Sequence, residues 1–245
     1  GLFDVSHMGQ VIIEGAGSAA ALESLVPVDV LGLGQHRQTY ALFTNDRGGV
    51  LDDLIITRWD EDRFFLVVNA GCKDQDIAHL RSHLGASRLT VLDQQALLAL
   101  QGPAARQVMQ QLCPAAAGLV FMQGCREVID GVEVYITCSG YTGEDGFEVS
   151  VPAAHAEALA RRMLGLTPVQ PVGLGARDSL RLEAGLCLYG HELTPDIDPV
   201  QAGLLWSVSK ARRADGARAG GFPGAQGIFE RMAAGSPLRR VGLTV

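Results

Sequence analysis

The residues best suited to chemistry stand in one run, Gly48-Gly49-Val50-Leu51-Asp52-Asp53-Leu54-Ile55-Ile56-Thr57-Arg58. Two glycines permit a tight turn, and two adjacent carboxylates open an apolar, β-branched strand. Side chains alternate along a strand, so Asp52 and Asp53 point to opposite faces. Asp53 shares its face with Leu51 and Ile55, and Asp52 shares the other with Leu54, Ile56 and Arg58. At least one carboxylate therefore leaves the turn at the mouth of an apolar surface, where desolvation and hydrogen bonds tune its proton affinity. The plainer alternative is that both acids cap a hairpin.

Other stretches carry polar groups on glycine-rich backbone. Ser139-Gly140-Tyr141-Thr142-Gly143-Glu144-Asp145-Gly146-Phe147-Glu148-Val149 sets glycines around a Tyr and two carboxylates. Such a loop can bring N–H groups and polar tips to a ligand, or it can be an ordinary hairpin with solvated acids. It lacks the Lys of a phosphate-cradling loop. Pro171 to Gly185 reads as a turn and a short helix closed by Gly185. Gly173 and Gly175 begin a dinucleotide-type fingerprint, but Asp178 stands where its third glycine belongs. On the helix Asp178 and Arg181 are i,i+3 neighbours, the spacing of a surface ion pair. Glu183 sits among Leu180, Leu182 and Leu186, where an unpaired carboxylate is costly and a donor is expected, such as a ligand's ring N–H or amino group. Lys210-Ala211-Arg212-Arg213 is a knot of positive charge, a candidate for anionic groups or a solvated element end. His7 has no second His and no Cys/His spacing beside it, so a structural role is favoured over a ligand or base.

The elements that must hold these groups alternate between strands and amphipathic helices. Residues 2–14 read as one strand, and Ser18 to Leu25 as a helix capped by Ser18. Gln38 to Thr44 pairs with the Asp-Asp strand as a hairpin through Asn45–Gly49. Phe64 to Asn69 is a strand; Cys72 to His83 is a helix with Ile77 and Leu80 inward and its charges outward. Ala96–Leu100, Val132–Cys138 and Gly203–Val208 read as further strands. This alternation predicts an α+β fold, antiparallel sheets with helices on one face. The 245 residues, 47% hydrophobic and 19% charged, can bury a substantial core. A net charge of −7 argues against general nucleic-acid binding. No apolar run approaches the roughly 18 residues of a membrane span. The five cysteines are scattered without a C-x-x-C pair, which suits reduced core thiols better than disulfides or a metal site. Gly1 and the strand-like Arg239–Val245 read as interrupted ends.

Together these stretches resemble the aminomethyltransferase family, the folate-dependent T-protein of the glycine cleavage system. The resemblance rests on Asp4-Val5-Ser6-His7-Met8-Gly9, Gly48 to Arg58, Asn69-Ala70-Gly71, Leu100-Gln101-Gly102-Pro103, Ser139 to Glu148 and Gly173 to Gly190. Asp198-Pro199-Val200, Gly203-Leu204-Leu205-Trp206 and Phe222-Pro223-Gly224-Ala225 add to it, so that it runs through essentially the whole chain. It implies transfer of an aminomethyl group from the dihydrolipoyl arm of the lipoylated H-protein to tetrahydrofolate, giving ammonia and 5,10-methylenetetrahydrofolate. By the same resemblance Asp53 is the catalytic carboxylate, with Asp52 the other reading. Glu183 contacts the pterin and Arg212 the anionic glutamyl tail; Asp52, Tyr141, Met8 and Asn69 complete the folate-binding set.

The resemblance also implies ferredoxin-like and Greek-key subdomains in a folate-binding core over 1–213. Residues 1–45 would group with 140–213, and 46–139 would form the second subdomain. Residues 214–245 would be a linker and the first strand of a C-terminal β-barrel that is largely missing. The implied protein is a monomer with no metal, nucleic-acid or membrane partner, cytoplasmic in a bacterium and in the mitochondrial matrix of a eukaryote. Competing readings are the folate domain of a dimethylglycine- or sarcosine-oxidising flavoprotein and a non-enzymatic folate-binding iron–sulfur or tRNA-modification factor. The first needs a glycine fingerprint and the second a Lys-Gly-Cys-Tyr-type motif near Arg181 to Leu186; this chain carries neither.

Overall fold

The computed structural model describes residues 1–243. In chain order its elements are β1 (Leu2–Asp4), β2 (Gly9–Glu14), α1 (Ser18–Glu23), β3 (Arg37–Thr44), β4 (Val50–Asp60), β5 (Arg63–Val68), α2 (Lys73–His83), β6 (Arg88–Val91) and β7 (Gln95–Gln101). There follow α3 (Ala105–Leu112), α4 (Pro114–Ala117), β8 (Gln123–Ile129), β9 (Val132–Cys138), β10 (Gly146–Pro152), α5 (Ala153–Leu164), α6 (Leu174–Glu183) and α7 (Ala225–Ala234). Two compact units share them: residues 1–10, 36–38 and 92–186 form one, and residues 11–35, 39–91 and those from 187 on form the other. No described helix is long and apolar enough to cross a membrane.

In the first unit the strands run in the order β1-β7-β10-β9-β8, antiparallel, with Leu100 opposite Phe147 and Leu98 opposite Val149. The two-residue period puts Leu98, Leu100, Phe147, Val149 and Ile136 on one face, where they are buried. Ala105, Val108, Met109 and Leu112 of α3 are spaced i, i+3, i+4, i+7 and bury the matching helical stripe in the same core.

In the second unit the order is β3-β4-β5-β2-β6, with Leu54 opposite Val68 and Ile56 opposite Leu66. Phe43, Leu54, Ile56, Leu66 and Val68 pack with Leu22 of α1 and with Ile77 and Leu80 of α2. Leu42 points the other way from Phe43, into a smaller cluster with Val50 at the start of β4, Leu193, Leu204, Tyr40 and Tyr189. Turning the strand ladder this way leaves Leu51, Asp53 and Ile55 half-exposed on one side of β4.

The α+β expectation holds, with antiparallel pairing throughout the described ladders. Several expectations are corrected. Residues 2–14 form two strands, because Ser6 turns back on Asp4 (Oγ to Oδ1, 2.6 Å) and breaks the extension. Ser18 does not cap α1; Gly17 does so at φ +85°, and the Ser18 hydroxyl is buried. Residues 203–208 are not a strand but contain a 3-10 turn, Leu205–Ser207, with Trp206 62% exposed. The units also divide the chain elsewhere than expected. Residues 92–139 go with 140–186, since β7 pairs along its length with β10 and β8–β9–β10 form a continuous ladder. Within 214–245 the helix α7 buries Ile228 against Val208 and Phe222. The expected terminal strand is absent over 239–243, and Thr244 and Val245 lie outside the described residues.

Candidate functional site

The turn before β4 is organised by Asn45. Its Oδ1 accepts from the backbone N–H of Arg47 (2.9 Å) and Gly49 (3.0 Å), and its Nδ2 donates to the Pro195 carbonyl (2.8 Å). Gly48 adopts φ +87°, and a Cβ on Gly49 would collide with that same carbonyl. The turn thus delivers β4 in a fixed register, and alternation does the rest. Asp52 points into the interior with no exposed surface, and Asp53 lies on the half-exposed face.

Asn69, immediately after β5, joins the two acids. Its Nδ2 lies 3.0 Å from Asp52 Oδ1, 2.8 Å from Asp53 Oδ1 and 3.0 Å from the Asp53 carbonyl, and its backbone N–H donates to Asp52 Oδ2 (3.3 Å). The chain then enters α2, where Asp76 hydrogen-bonds to Asp52. The Cys72 thiol bonds to Asp52 as well, and burial followed by the nearby acids pushes that thiol up to about 12. Burial raises the Asp53 carboxyl to about 6, and the Asp52 charge adds to this; hydrogen bonds from Tyr40 and Asn69 pull it part of the way back. The same burial raises Tyr189, reinforced by Cys72 and the three acids. The Tyr40 ring stacks at a tilt 5.2 Å from exposed Trp206. A carboxylate in this setting is ionised at neutral pH, reaches solvent, and can stabilise a cation or take a proton.

Of the residues singled out in sequence, the structure brings Asp52, Asp53 and Asn69 into direct contact. Arg212 belongs to the same unit but is not an open cation. It is 5% exposed, with Nη1 on Glu23 Oε1 (2.7 Å) and Nη2 on the Glu23 carbonyl (2.9 Å). Arg213 likewise donates to the carbonyls of Val208 and Leu205. The expected cationic knot is therefore largely spent on the chain itself, because a buried guanidinium must be paired.

Glu183, Tyr141 and Met8 belong to the first unit. Glu183 is exposed rather than buried, and its carboxylate bonds to no described residue; the inward position of α6 is taken by Arg181, paired with Asp178 at 2.9 Å. The loop with Tyr141 is held by Gln101, which accepts from Thr142 (2.8 Å) and donates to the Ser139 carbonyl (3.1 Å). Gly140 and Gly146 make room for that amide, so their glycine character serves packing. Gly143 abuts Ala184, next to Glu183, where a Cβ would come within 2.7 Å of the Ala184 Cβ. Asp145 is tied to Arg106 at 2.9 Å. Met8 is half-buried, its N–H on the Val5 carbonyl (3.1 Å).

Sequence reasoning missed the roles of several participants. Arg177 stacks over Tyr141 (5.0 Å) and offsets the upward push that burial gives the Glu148 carboxyl. Tyr40 sits on the strand beside β4. Asp76 is buried although the helix pattern counts it among the outward charges; its i,i+4 spacing to the buried Leu80 is the available signal.

The sequence profile of the GCVT N-terminal domain matches residues 1–212. Mitochondrial aminomethyltransferases of Flaveria anomala and Pisum sativum are each 45% identical, over 99% and 98% of this chain and 61% and 60% of theirs. The chain thus spans about three-fifths of the length of these relatives. The crystal structure of the glycine cleavage system aminomethyltransferase T from Bartonella henselae superposes with a TM-score of 0.85 at 43% identity, over 96% of this chain and 63% of that one. On the breadth of the match, the chain belongs to the GCVT N-terminal domain family.

Proposed function

We propose that the chain provides the folate-binding, catalytic part of an aminomethyltransferase. The aminomethyl group would pass from the dihydrolipoyl arm of the H-protein to tetrahydrofolate. In this reaction the C–S and C–N bonds of the aminomethyl carbon break, and bonds from that carbon to N5 and N10 of the folate form. The thiol and ammonia leave with the two protons that those nitrogens give up. The transferred carbon becomes cationic and iminium-like as either group departs, and a carboxylate already aimed at it lowers that barrier.

The observation that carries this reading is Asp53: half-exposed, raised to about 6, and fixed by Asn69 and Tyr40. Its anion stabilises the carbon, and its raised proton affinity lets it relay a proton as a secondary role. Glu183, open at the end of α6, is proposed to accept from the pterin, with Tyr141 and Met8 as further contacts. Asp52 and Asn69 act on folate through Asp53. Arg212, held by Glu23, fixes the segment that meets the glutamyl tail. Relatives named aminomethyltransferases favour this reading over an oxidase folate domain or a non-enzymatic factor. The lipoylated H-protein is the proposed partner, in the cytoplasm of a bacterium or the matrix of a eukaryote.

Substituting Asp53→Asn tests the assignment. Ammonia release from aminomethylated H-protein should fall by about a hundredfold or more, the scale of losing one preorganised electrostatic group. Tetrahydrofolate affinity by calorimetry should change only a few-fold. Turnover equal to the parent's removes Asp53 from the catalytic role.

A further inference from the structure

Asp52 is completely buried, yet three donors converge on its two oxygens, the Asn69 backbone N–H, the Asn69 carboxamide and the Cys72 thiol, and the Asp76 carboxyl is in hydrogen-bond contact with it. A carboxylate offers about four lone-pair sites, so Asp52 already acts as an acceptor and has room for one donor more. Two carboxyl groups in hydrogen-bond contact away from water cannot both be ionised, so the pair holds a proton. Asp76 is 1% exposed, and no N–H or hydroxyl of a described residue donates to its Oδ2. An oxygen that receives no donor suits a neutral acid; on an ionised group it would be a charged orphan. We propose that Asp76 carries the proton of this pair and is a positioning residue: it donates to Asp52, which holds Asn69, which in turn aligns Asp53. The groups that face the pair are Asp53 of β4, Tyr40 of β3, Cys72 before α2, and Tyr189. Burial, then the bond to Asp52 and the charges of Asp52 and Asp53, move Asp76 in the direction that this assignment requires.

The inference rests on Asp53 as the working carboxylate. Its test reads protonation without turnover, so it stands or falls apart from the transferase reading. Carboxyl carbon NMR of the chain, titrated from acid to alkaline pH, should leave the Asp76 signal at its protonated position through neutrality; a midpoint near 4 overturns the proposal. Asp76→Asn keeps a donor toward Asp52, and the Asp53 midpoint should stay in place. Asp76→Ala removes the donor and with it the support for Asn69 beside Asp53, so the hydrogen bond that lowers Asp53 weakens and its midpoint should rise by about half a pH unit. Equal midpoints in the two variants overturn the chain of positioning. Should the alanine variant fail to fold, the Asp76 titration in the parent decides alone.

Discussion

Two buried carboxylates in the second unit are treated in opposite ways. Glu23, 2% exposed, meets cations: Arg212 Nη1 at 2.7 Å and Arg218 Nε at 2.8 Å, with Arg218 also on Asp29. Asp52, with no exposure, meets none at such distances; it has an amide, a thiol and another acid. Around Glu23 the charges balance, so the cluster acts as a clamp joining the end of α1 to residues 210–218. Around Asp52 negative charge is left in excess, and neighbouring groups respond by holding protons. The first arrangement stabilises a connection. The second creates proton affinity beside a half-exposed acid, which is where chemistry is to be expected.

The sharpest way to break this contrast is to remove one side of the clamp. Glu23→Leu leaves the buried Arg212 guanidinium with only a carbonyl, and should cost about 3–5 kcal/mol in urea unfolding. Arg212→Met should cost less, because Arg218 still neutralises Glu23. Equal losses in the two variants would show that Arg218 does not share the charge.

The acid cluster predicts a pH effect of its own. Asp76 is raised to about 9 in the folded chain, by burial first and then by its bond to Asp52 and the neighbouring charges. When unfolded it titrates near 4. Its contribution to stability is therefore complete below about pH 4 and is lost as pH rises through the folded value, with a slope of up to about 1.4 kcal/mol per pH unit for one proton. Asp53, raised to about 6, adds a loss of the same sign between about 4 and 6. Asp76→Asn should flatten the decline in unfolding free energy between about pH 6 and 8, where Asp53 no longer adds to it. An unchanged slope would contradict a proton held on Asp76.

How much of this was legible in sequence follows from the range of each interaction. The Asn45–Gly49 turn, the opposite faces of Asp52 and Asp53, and the helix over 73–83 depend on neighbours in the chain, and local pattern revealed them. Arg212 and Glu23 are 189 positions apart, so nothing local signals that the cation is already paired. The leucines around Glu183 suggest an inward position, but Leu182 is itself 62% exposed and the inward position is held by Arg181. Charge alone puts Asp76 outward with the rest of its helix, whereas its spacing to Leu80 argues the reverse. The partner that makes an inward acid tolerable, Asp52, lies on a different element.

The smallest effect completes the comparison at the exposed end of the scale. Arg161 and Glu157 on α5 form an i,i+4 pair at 2.7 Å, with side chains 76% and 78% exposed. Water already solvates both charges, and ordering two long side chains cancels much of their attraction. Arg161→Ala should therefore cost no more than about 0.3–0.5 kcal/mol, and less in high salt. The shorter distance of this pair relative to Arg218–Glu23 makes the point directly: burial and the number of partners set the worth of an ion pair here, and separation alone does not. A loss from Arg161→Ala as large as that from Glu23→Leu would undo the ranking.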